Sequence, residues 1–339
     1  MSSSDLVSVA QAMVAEGKGI LAIDESSGTI AKRFKSINLE CTEENRRTYR
    51  ELLLTTPGLG QYISGAILYD ETLRQATREG VSFVEVMHKA GILPGIKVDT
   101  GAHPLAGHPG EKITEGLDGL RARLEEYRSL GAQFAKWRAV ITVGDTIPTS
   151  SCVESNAHAL ARYAALCQEA GIVPMVEPEV LMDGTHSLDE CFEVTEAVLR
   201  ALFAQLYEHN VLLEGTILKA SMVISGSAAE NRAGVQEVAE ATVQCLLNAV
   251  PAAVAGVVFL SGGQSDEEAT AHLDAMNKLG DFPWPLSFSY GRALQAPTLR
   301  IWGENRAANV AAAQKRLAHR ARMNGLATLG QYDRSLEVA

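Results

Sequence analysis

Paired cysteines, histidine clusters and long apolar runs are missing from this chain of 339 residues. Its five cysteines are scattered and none are spaced as CxxC, which excludes a disulfide framework and favours a reducing cytosol. Its eight histidines form no HxH or HExxH pair. We interpret His103 and His108, which lie in a Gly/Pro-rich loop, as solvated side chains. The sequence therefore predicts no metal site and no cofactor.

Features of membrane and nucleic-acid-binding proteins are also scarce. No apolar stretch approaches the ~20 residues that a membrane helix needs. The first residues lack the basic and apolar regions of a secretory signal. The formal net charge of −11 argues against a broad surface for nucleic acid or anionic lipid. We expect a cytoplasmic protein with no nucleic-acid or membrane partner, in which locally gathered lysines and arginines hold any anionic substrate.

Short apolar runs recur along the chain, with helical periodicity in several of the intervals between them. This alternation predicts a (β/α)₈ TIM barrel in one domain, residues 1–339. A doubly wound open sheet is the second choice, but the GxGxxG turn that would announce it is absent. The predicted strands are Gly19–Asp24, Gly65–Tyr69, Pro94–Val98, Phe134–Val140, Val173–Glu177, Leu213–Lys219, Gly256–Leu260 and Leu286–Ser289.

Extra helices are expected at both ends of the barrel. A helix before Gly17 and a basic helix over Arg306–Arg322 should pack outside it, and residues 330–339 should form a mobile tail. We interpret the charges of the second helix as a solvated face, formed by Lys315, Arg316, Arg320 and Arg322. Helical periodicity within the barrel covers Gly116–Leu130, Ser155–Ala170, Ser187–Tyr207, Gln236–Ala249 and Ser265–Lys278.

Charged residues lie in or end five of the apolar runs. The active site of a TIM barrel lies at the carboxyl ends of its strands. A single charge there could be a structural ion pair or a helix cap, but five strands sharing the feature are hard to explain by packing, because buried charges must be paired. The charged residues are Asp24 and Glu25, Lys97 and Asp99, Lys136 and Arg138, Glu177 and Glu179, and Lys219.

Lys219 ends the apolar run of the sixth predicted strand. It could extend its ammonium group out of the strand end into solvent. Burial would instead favour the neutral amine, a nucleophile that forms Schiff bases with ketones and aldehydes, and a second cation such as Lys136 would assist. Loss of water from the adduct then needs an acid, for which Glu177 or Glu179 is suitable. Asp24 is a candidate base for carbon–carbon cleavage.

Two glycine turns follow the last two predicted strands, where this fold usually binds phosphate. Ser261-Gly262-Gly263 precedes a helix, and Ser289, Gly291 and Arg292 follow the eighth strand. Each could be an ordinary turn without a ligand, but two in adjacent loops favour an anion site. A second phosphate could be held by Ser26, Arg33, Lys97 and Arg138, although Arg33 could instead be an exposed helix residue.

Several of these segments closely resemble class I, Schiff-base-forming, fructose-1,6-bisphosphate aldolases. The resemblance covers about residues 5–330 in unbroken order. It is carried by Gly17–Leu21 with Asp24-Glu25-Ser26, Thr42–Arg47, Gly95–Asp99, Phe134–Arg138, Val173–Glu179, Leu213–Thr216, Phe259–Ser265 and Phe288–Gln295.

The resemblance implies a homotetrameric cytosolic lyase of glycolysis and gluconeogenesis. Its partners would be fructose 1,6-bisphosphate and the triose phosphates. Lys219 would be the Schiff-base lysine, Glu177 the acid and base of imine formation, Glu179 and Lys136 supporting charges, and Asp24 the residue facing the C4 hydroxyl. The C1-phosphate site would comprise Ser261, Gly262, Gly263, Ser289, Gly291 and Arg292. The C6-phosphate side would comprise Ser26, Thr29, Arg33, Lys97 and Arg138.

Other functions remain open at this level. One is another Schiff-base sugar-phosphate enzyme of the transaldolase kind, although two phosphate sites favour a bisphosphate. The other is a catalytically silent sugar-phosphate-binding or scaffold protein, which would be expected to lose Lys219 or Glu177. A metal-dependent aldolase is disfavoured because the histidines do not cluster.

Overall fold

Eight parallel strands close into a barrel in this computed structural model, which describes residues 3–338. The barrel strands are β1 Gly19–Ile23, β2 Ile63–Leu68, β3 Leu93–Lys97, β6 Phe134–Ile141, β7 Val173–Val180, β8 Ile217–Ala220, β9 Gly256–Phe259 and β10 Leu286–Tyr290. The labels β4 and β5 belong to a separate hairpin outside the barrel. Each barrel strand pairs with the next in this order, and β10 pairs again with β1. The predicted (β/α)₈ fold is confirmed.

Helices connect and surround the strands. The longer ones begin at polar caps such as Thr149, Ser187 and Ser265, whose side chains accept backbone N–H groups of the first turn. The helices are α1 Ser3–Met13, α2 Ser27–Lys35, α3 Glu43–Leu54, α4 Asp70–Leu73, α5 Phe83–Lys89, α6 Leu120–Ser129, α7 Ser150–Glu169, α8 Leu188–Glu208, α9 Val235–Ala249, α10 Asp266–Lys278, α11 Arg292–Glu304 and α12 Val310–Ala327.

Two local features differ from the prediction. The strand expected over Leu213–Lys219 begins only at Ile217, because Leu213–Gly215 is a 3-10 helix. The Gln168 side chain bonds both the N–H and the C=O of Leu212, so these groups do not enter a strand ladder. After β3, the Gly/Pro-rich loop contains an antiparallel hairpin of β4 (Gly101–Pro104) and β5 (Lys112–Glu115), which the sequence did not indicate.

Alternation along the strands separates the barrel interior from the helix layer. Ile20 and Ala22 of β1 belong to the inner cluster, whereas Leu21 and Ile23 pack with the outer one. The lower interior is filled by Phe134, whose ring leaves no room for a Cβ at position 95. Helix α1 closes this end, since its apolar residues join the same inner cluster: Leu6, Ala10 and Met13.

The C-terminal region corrects one expectation. We predicted that Arg320 would lie on a solvated face, but its side chain is completely buried, because α12 packs against α10 and α11. Lys315 and Arg322 are exposed as predicted, and Arg316 is partly exposed. Residues 334–338 form a 3-10 helix, in which Glu337 pairs with Arg320. Ala339 lies outside the described residues.

Candidate active site

A cavity of about 860 Å³ opens at the carboxyl ends of the barrel strands. The residues that line it come from most of the strand ends and from the hairpin. All the site residues predicted from the sequence line it except Gly263, which lies just behind the wall with Met182 and Arg292 as its neighbours. The structure therefore brings together charges that are more than 190 positions apart in the chain.

The period of two in each strand aims the charged side chains into this cavity. In β6, Lys136 and Arg138 follow inward-facing Phe134 at alternate positions. In β8, Lys219 follows inward-facing Ile217 in the same way. Glu177 and Glu179 of β7 continue the inward row begun by Val173 and Met175. The apolar residues of each row fill the barrel, and the charged ones form the floor of the cavity.

Glu177 lies between the two lysines at the centre of the site. Its Oε1 is 3.0 Å from Lys219 Nζ and its Oε2 is 3.2 Å from Lys136 Nζ. Asp24 completes the group, with its Oδ2 2.7 Å from Lys136 Nζ. At least 95% of each side chain of Lys136, Lys219 and Glu177 is buried, so the cluster is a charge-balanced network rather than a set of surface ion pairs.

Electrostatics keep these partners of Lys219 ionised. Burial raises the pKa of Asp24, but Lys136 and Lys219 outweigh it and hold that pKa well below its usual range. Burial likewise opposes ionisation of Glu177, yet the same two lysines lower its pKa. Burial tends to lower the pKa of Lys136, but Asp24 and Glu177 raise it well above its ordinary value. The site thus offers two carboxylates and a permanent cation beside the Lys219 amine.

Two further ion pairs form the neighbouring wall. Arg138 Nε pairs with Glu179. Lys97 Nζ lies 2.7 Å from Asp99 Oδ1 and also donates to the Asp99 carbonyl at 2.7 Å. Asp99 was known from the sequence only as part of a charged strand end. In the structure it fixes Lys97 and accepts the N–H groups of Gly101 and Arg138, which joins the hairpin to the barrel.

The last two strands supply groups suited to an anion. Gly262 and Gly263 have positive φ values of 53° and 97°, which other residues rarely adopt. Ser289 Oγ is buried and finds no hydrogen-bond partner within residues 3–338. On the opposite wall, the hydroxyls of Ser26 and Thr29 lie 3.2 Å apart at the start of α2. An unpaired hydroxyl beside glycine turns is typical of an anion-binding site.

Arg33 lies nearer to the eighth strand than the sequence suggested. Its guanidinium pairs with Glu25, and a Cβ at position 291 would be 3.7 Å from it. Glu25 was not predicted as a functional residue. Because it follows Asp24, the alternation turns its side chain away from the central cluster and towards α3, where Arg50 Nη2 donates to it at 2.6 Å. Lys32 also lines the cavity but was not predicted from the sequence. Its position beside Arg33 could have indicated it.

The described part of the chain has neither a metal-binding cluster nor a membrane-spanning helix. Residues 3–338 contain no group of three or more His, Cys, Asp or Glu side chains that could hold a metal ion. Over the same residues, no helix is long and apolar enough to cross a membrane. His103 is about half exposed, as predicted, but it lies in strand β4 of the hairpin and not in an irregular loop.

Comparison with known proteins decides the family. A profile of the glycolytic fructose-bisphosphate aldolase class-I family matches residues 5–339. The chain belongs to this family. As a class I fructose-bisphosphate aldolase it is a lyase, and a Schiff-base mechanism is characteristic of the class.

Relatives in bacteria, plants and protozoa agree with this assignment. A protein of Xanthomonas campestris described as a probable fructose-bisphosphate aldolase class 1 is 66% identical over 332 residues, covering 98% of this aldolase and 99% of the relative. The cytosolic fructose-bisphosphate aldolase 4 of Arabidopsis thaliana is 55% identical, with 97% and 84% covered. The solved aldolase of Plasmodium falciparum, in complex with TRAP and an inhibitor, superposes with a TM-score of 0.95 at 50% identity, with 97% and 95% covered.

Proposed function

We propose that Lys219, Glu177 and Asp24 carry out the reversible cleavage of fructose 1,6-bisphosphate to dihydroxyacetone phosphate and glyceraldehyde 3-phosphate. The observation that carries this proposal is the buried cluster in which Glu177 contacts both Lys219 (3.0 Å) and Lys136 (3.2 Å). A lysine amine, a carboxylate within proton-transfer distance and a fixed second cation are the groups that imine formation requires.

Imine formation is assigned to Lys219 and Glu177. The ionised Glu177 accepts a proton from the Lys219 ammonium, and the neutral amine adds to the C2 carbonyl of the open-chain sugar. The carbinolamine hydroxyl then leaves as water with the proton that Glu177 returns. Lys136 remains a cation throughout, because Asp24 and Glu177 raise its pKa well above its usual value. Glu179 supports this arrangement by neutralising Arg138.

Cleavage is assigned to Asp24. Its carboxylate takes the proton of the C4 hydroxyl, the C3–C4 bond breaks, and the aldehyde leaves as glyceraldehyde 3-phosphate. The electron pair of the broken bond moves into the iminium, which becomes an enamine on Lys219. The neighbouring lysines lower the pKa of Asp24, so the side chain is ionised at neutral pH. A carboxylate of such low pKa is a weak base, so the proton passes to it only as the C3–C4 bond breaks. The enamine then takes up a proton at C3, Asp24 gives up the proton it accepted, and water hydrolyses the resulting iminium to release dihydroxyacetone phosphate and regenerate Lys219. None of these steps requires a metal ion.

The two phosphates are assigned to opposite walls of the cavity. The C1 phosphate would bind at Ser261, Gly262, Ser289, Gly291 and Arg292, with Gly263 shaping the turn behind them. Ser26, Thr29, Lys97 and Arg138 would face the C6 phosphate. The place of Arg33 beside Gly291 supports moving it from the second group to the first. Glu25 then acts as the residue that holds Arg33 in position.

Two serines of β10 provide a matched test of the C1-phosphate site. Ser289→Ala removes a buried hydroxyl that has no hydrogen-bond partner among residues 3–338, so we expect unchanged or slightly higher stability and a KM raised about 3- to 10-fold for the bisphosphate. Ser287→Ala removes a hydroxyl that donates to the Lys18 carbonyl at 2.6 Å. It should cost about 1 kcal/mol of unfolding free energy and leave KM unchanged. Equal KM values in the two variants would count against the site.

Borohydride trapping tests the proposed chemistry directly. The protein is incubated with dihydroxyacetone phosphate and EDTA, reduced with borohydride and mapped by peptide mass spectrometry. We expect one reduced adduct on Lys219, together with EDTA-insensitive cleavage of fructose 1,6-bisphosphate. Folded protein without an adduct would overturn the imine mechanism and favour a silent sugar-phosphate-binding or scaffold role.

We also propose that the chain is one domain, assembles as a homotetramer and works in the cytoplasm. Exposed apolar side chains on α8 and α9, Tyr207 and Leu247, are suited to contacts between subunits. The cytosolic relative in Arabidopsis and the cytoplasmic isozyme of spinach support the location. Light scattering would measure the subunit number, and cell fractionation the location. Hydrogen exchange would show whether residues 330–339 are as mobile as the sequence predicts.

A further inference from the structure

One buried arginine joins the end of the chain to the helix that follows the Ser261-Gly262-Gly263 turn. Arg320 of α12 is fully buried and pairs through Nη1 with Glu337 of the C-terminal 3-10 helix. Its Nη2 donates to the Asp266 carbonyl at 2.7 Å and to the Thr270 hydroxyl. Both acceptors lie in the first turn and a half of α10. The guanidinium therefore bridges the C-terminal segment and the start of α10.

The Glu337 side chain is part of this junction and is largely buried. Its Oε1 accepts from the Tyr332 hydroxyl at 3.2 Å, and its Oε2 lies 3.1 Å from His319 Nε2. Asp266 is the other carboxylate near Arg320, but its Oδ2 is 3.7 Å from Nε and is more exposed. Glu337 is thus the main counter-charge of a cation that has no access to water. Removing that charge would leave Arg320 buried without adequate compensation.

The part of α10 that Arg320 holds is continuous with the turn of the cavity wall. Ser265 caps α10, Asp266 is its first residue, and Ser261 and Gly262 line the cavity. The two glycines have no side chains to fix the turn, so its position depends on the elements on either side. The Tyr290 hydroxyl donates to the Ala269 carbonyl at 2.8 Å, which ties the first turn of α10 to β10.

We propose that Glu337 and Arg320 are positioning residues for the Ser261-Gly262-Gly263 turn. This inference rests on the proposed C1-phosphate role of that turn. Backbone N–H groups bind an anion well only where they are held in place before it arrives. The Arg320 guanidinium holds the start of α10, and the Glu337 carboxylate holds the guanidinium. The last residues of the chain thereby set how tightly the phosphate binds, without touching the substrate.

Two variants separate positioning from stability. Glu337→Gln keeps the shape of the side chain and removes its charge. We expect KM for fructose 1,6-bisphosphate to rise about 3- to 10-fold, with kcat within about twofold of the parent value. The double variant Arg320→Met with Glu337→Met removes both charges, so its unfolding midpoint should recover towards the parent value. Its KM should stay high, because methionine at position 320 cannot donate the hydrogen bond that Arg320 gives to the Asp266 carbonyl.

Arg334→Ala is the matched control. Arg334 belongs to the same 3-10 helix and pairs with Glu267 of α10 at 3.4 Å, but its side chain is 87% exposed. We expect KM and stability to remain unchanged in this variant. Titration of each protein with inorganic phosphate, by isothermal calorimetry, gives a second readout that does not depend on turnover.

Each outcome decides the inference. An unchanged KM and phosphate affinity in folded Glu337→Gln would overturn it. So would a KM that returns to the parent value in the double variant, because the effect would then follow stability alone. A parent protein that binds phosphate but does not cleave the bisphosphate would contradict the proposed function instead, and a loss of phosphate affinity in Glu337→Gln would still support the positioning role.

Discussion

Replacing Lys219 with arginine is expected to abolish imine formation and to lower kcat about 10⁴-fold or more. A guanidinium retains the positive charge that Glu177 contacts at 3.0 Å, so the buried ion network keeps its balance. It cannot lose its proton in a protein, however, and so provides no nucleophile. The measurements are steady-state cleavage of fructose 1,6-bisphosphate and borohydride trapping with dihydroxyacetone phosphate.

A lysine outside the cavity controls for the substitution itself. Lys112 is exposed on the β5 strand of the hairpin, and Lys112→Arg should leave both cleavage and trapping at parent values. Substantial cleavage by folded Lys219→Arg, or a trapped adduct on another lysine in the parent protein, would show that the nucleophile has been assigned to the wrong residue.

Glu177→Gln is expected to lower kcat about 10²- to 10⁴-fold, with a smaller change in KM. Glutamine preserves the shape of Glu177, but it cannot accept a proton from Lys219 or return one to the departing hydroxyl. The rate of borohydride trapping should fall together with kcat, because both depend on imine formation. The variant also leaves Lys136 and Lys219 with one fewer counter-charge, so its stability should fall and rates must be expressed per folded molecule.

Glu111→Gln is a control, because it removes a buried carboxylate that does not line the active site. Glu111 is buried outside the lining of the cavity, where it accepts from the Thr149 N–H at 2.6 Å and from its hydroxyl at 2.7 Å. We expect this variant to lose stability while its folded fraction keeps the parent kcat. If both variants lowered kcat equally, Glu177 would have no special role in proton transfer.

Much of the fold and the site could be predicted because alternation in a strand is a local property. Apolar Phe134 and Ile217 share a face with Lys136 and Lys219, so the same pattern that predicts the strands also predicts that these charges lie at the ends of the inward rows. The loops of the last two strands were predictable for a similar reason, since their glycines follow directly from strand ends.

Contacts between distant segments account for what the sequence did not reveal. Arg320 resembles its exposed neighbours Lys315 and Arg322 in the sequence. Its burial depends on distant partners, Glu337, 17 positions later, and the start of α10. The contacts of Arg33 were not predictable for the same reason, because its position depends on Glu25 and on the approach of Gly291. The hairpin depends on Asp99, whose carboxylate bonds the backbone of two segments.

The closed lower end of the barrel restricts how substrates and products enter and leave the active site. Helix α1 and Phe134 fill that end, so solvent reaches Lys219 through the mouth of the cavity. In the proposed mechanism, a sugar bound in the cavity would lie between bulk water and the covalent intermediate and would slow premature hydrolysis of that intermediate. The half of the sugar that is bonded to Lys219 in this mechanism could not depart first. The free aldehyde must therefore leave before the ketone half, and in the synthetic direction the order of arrival is reversed.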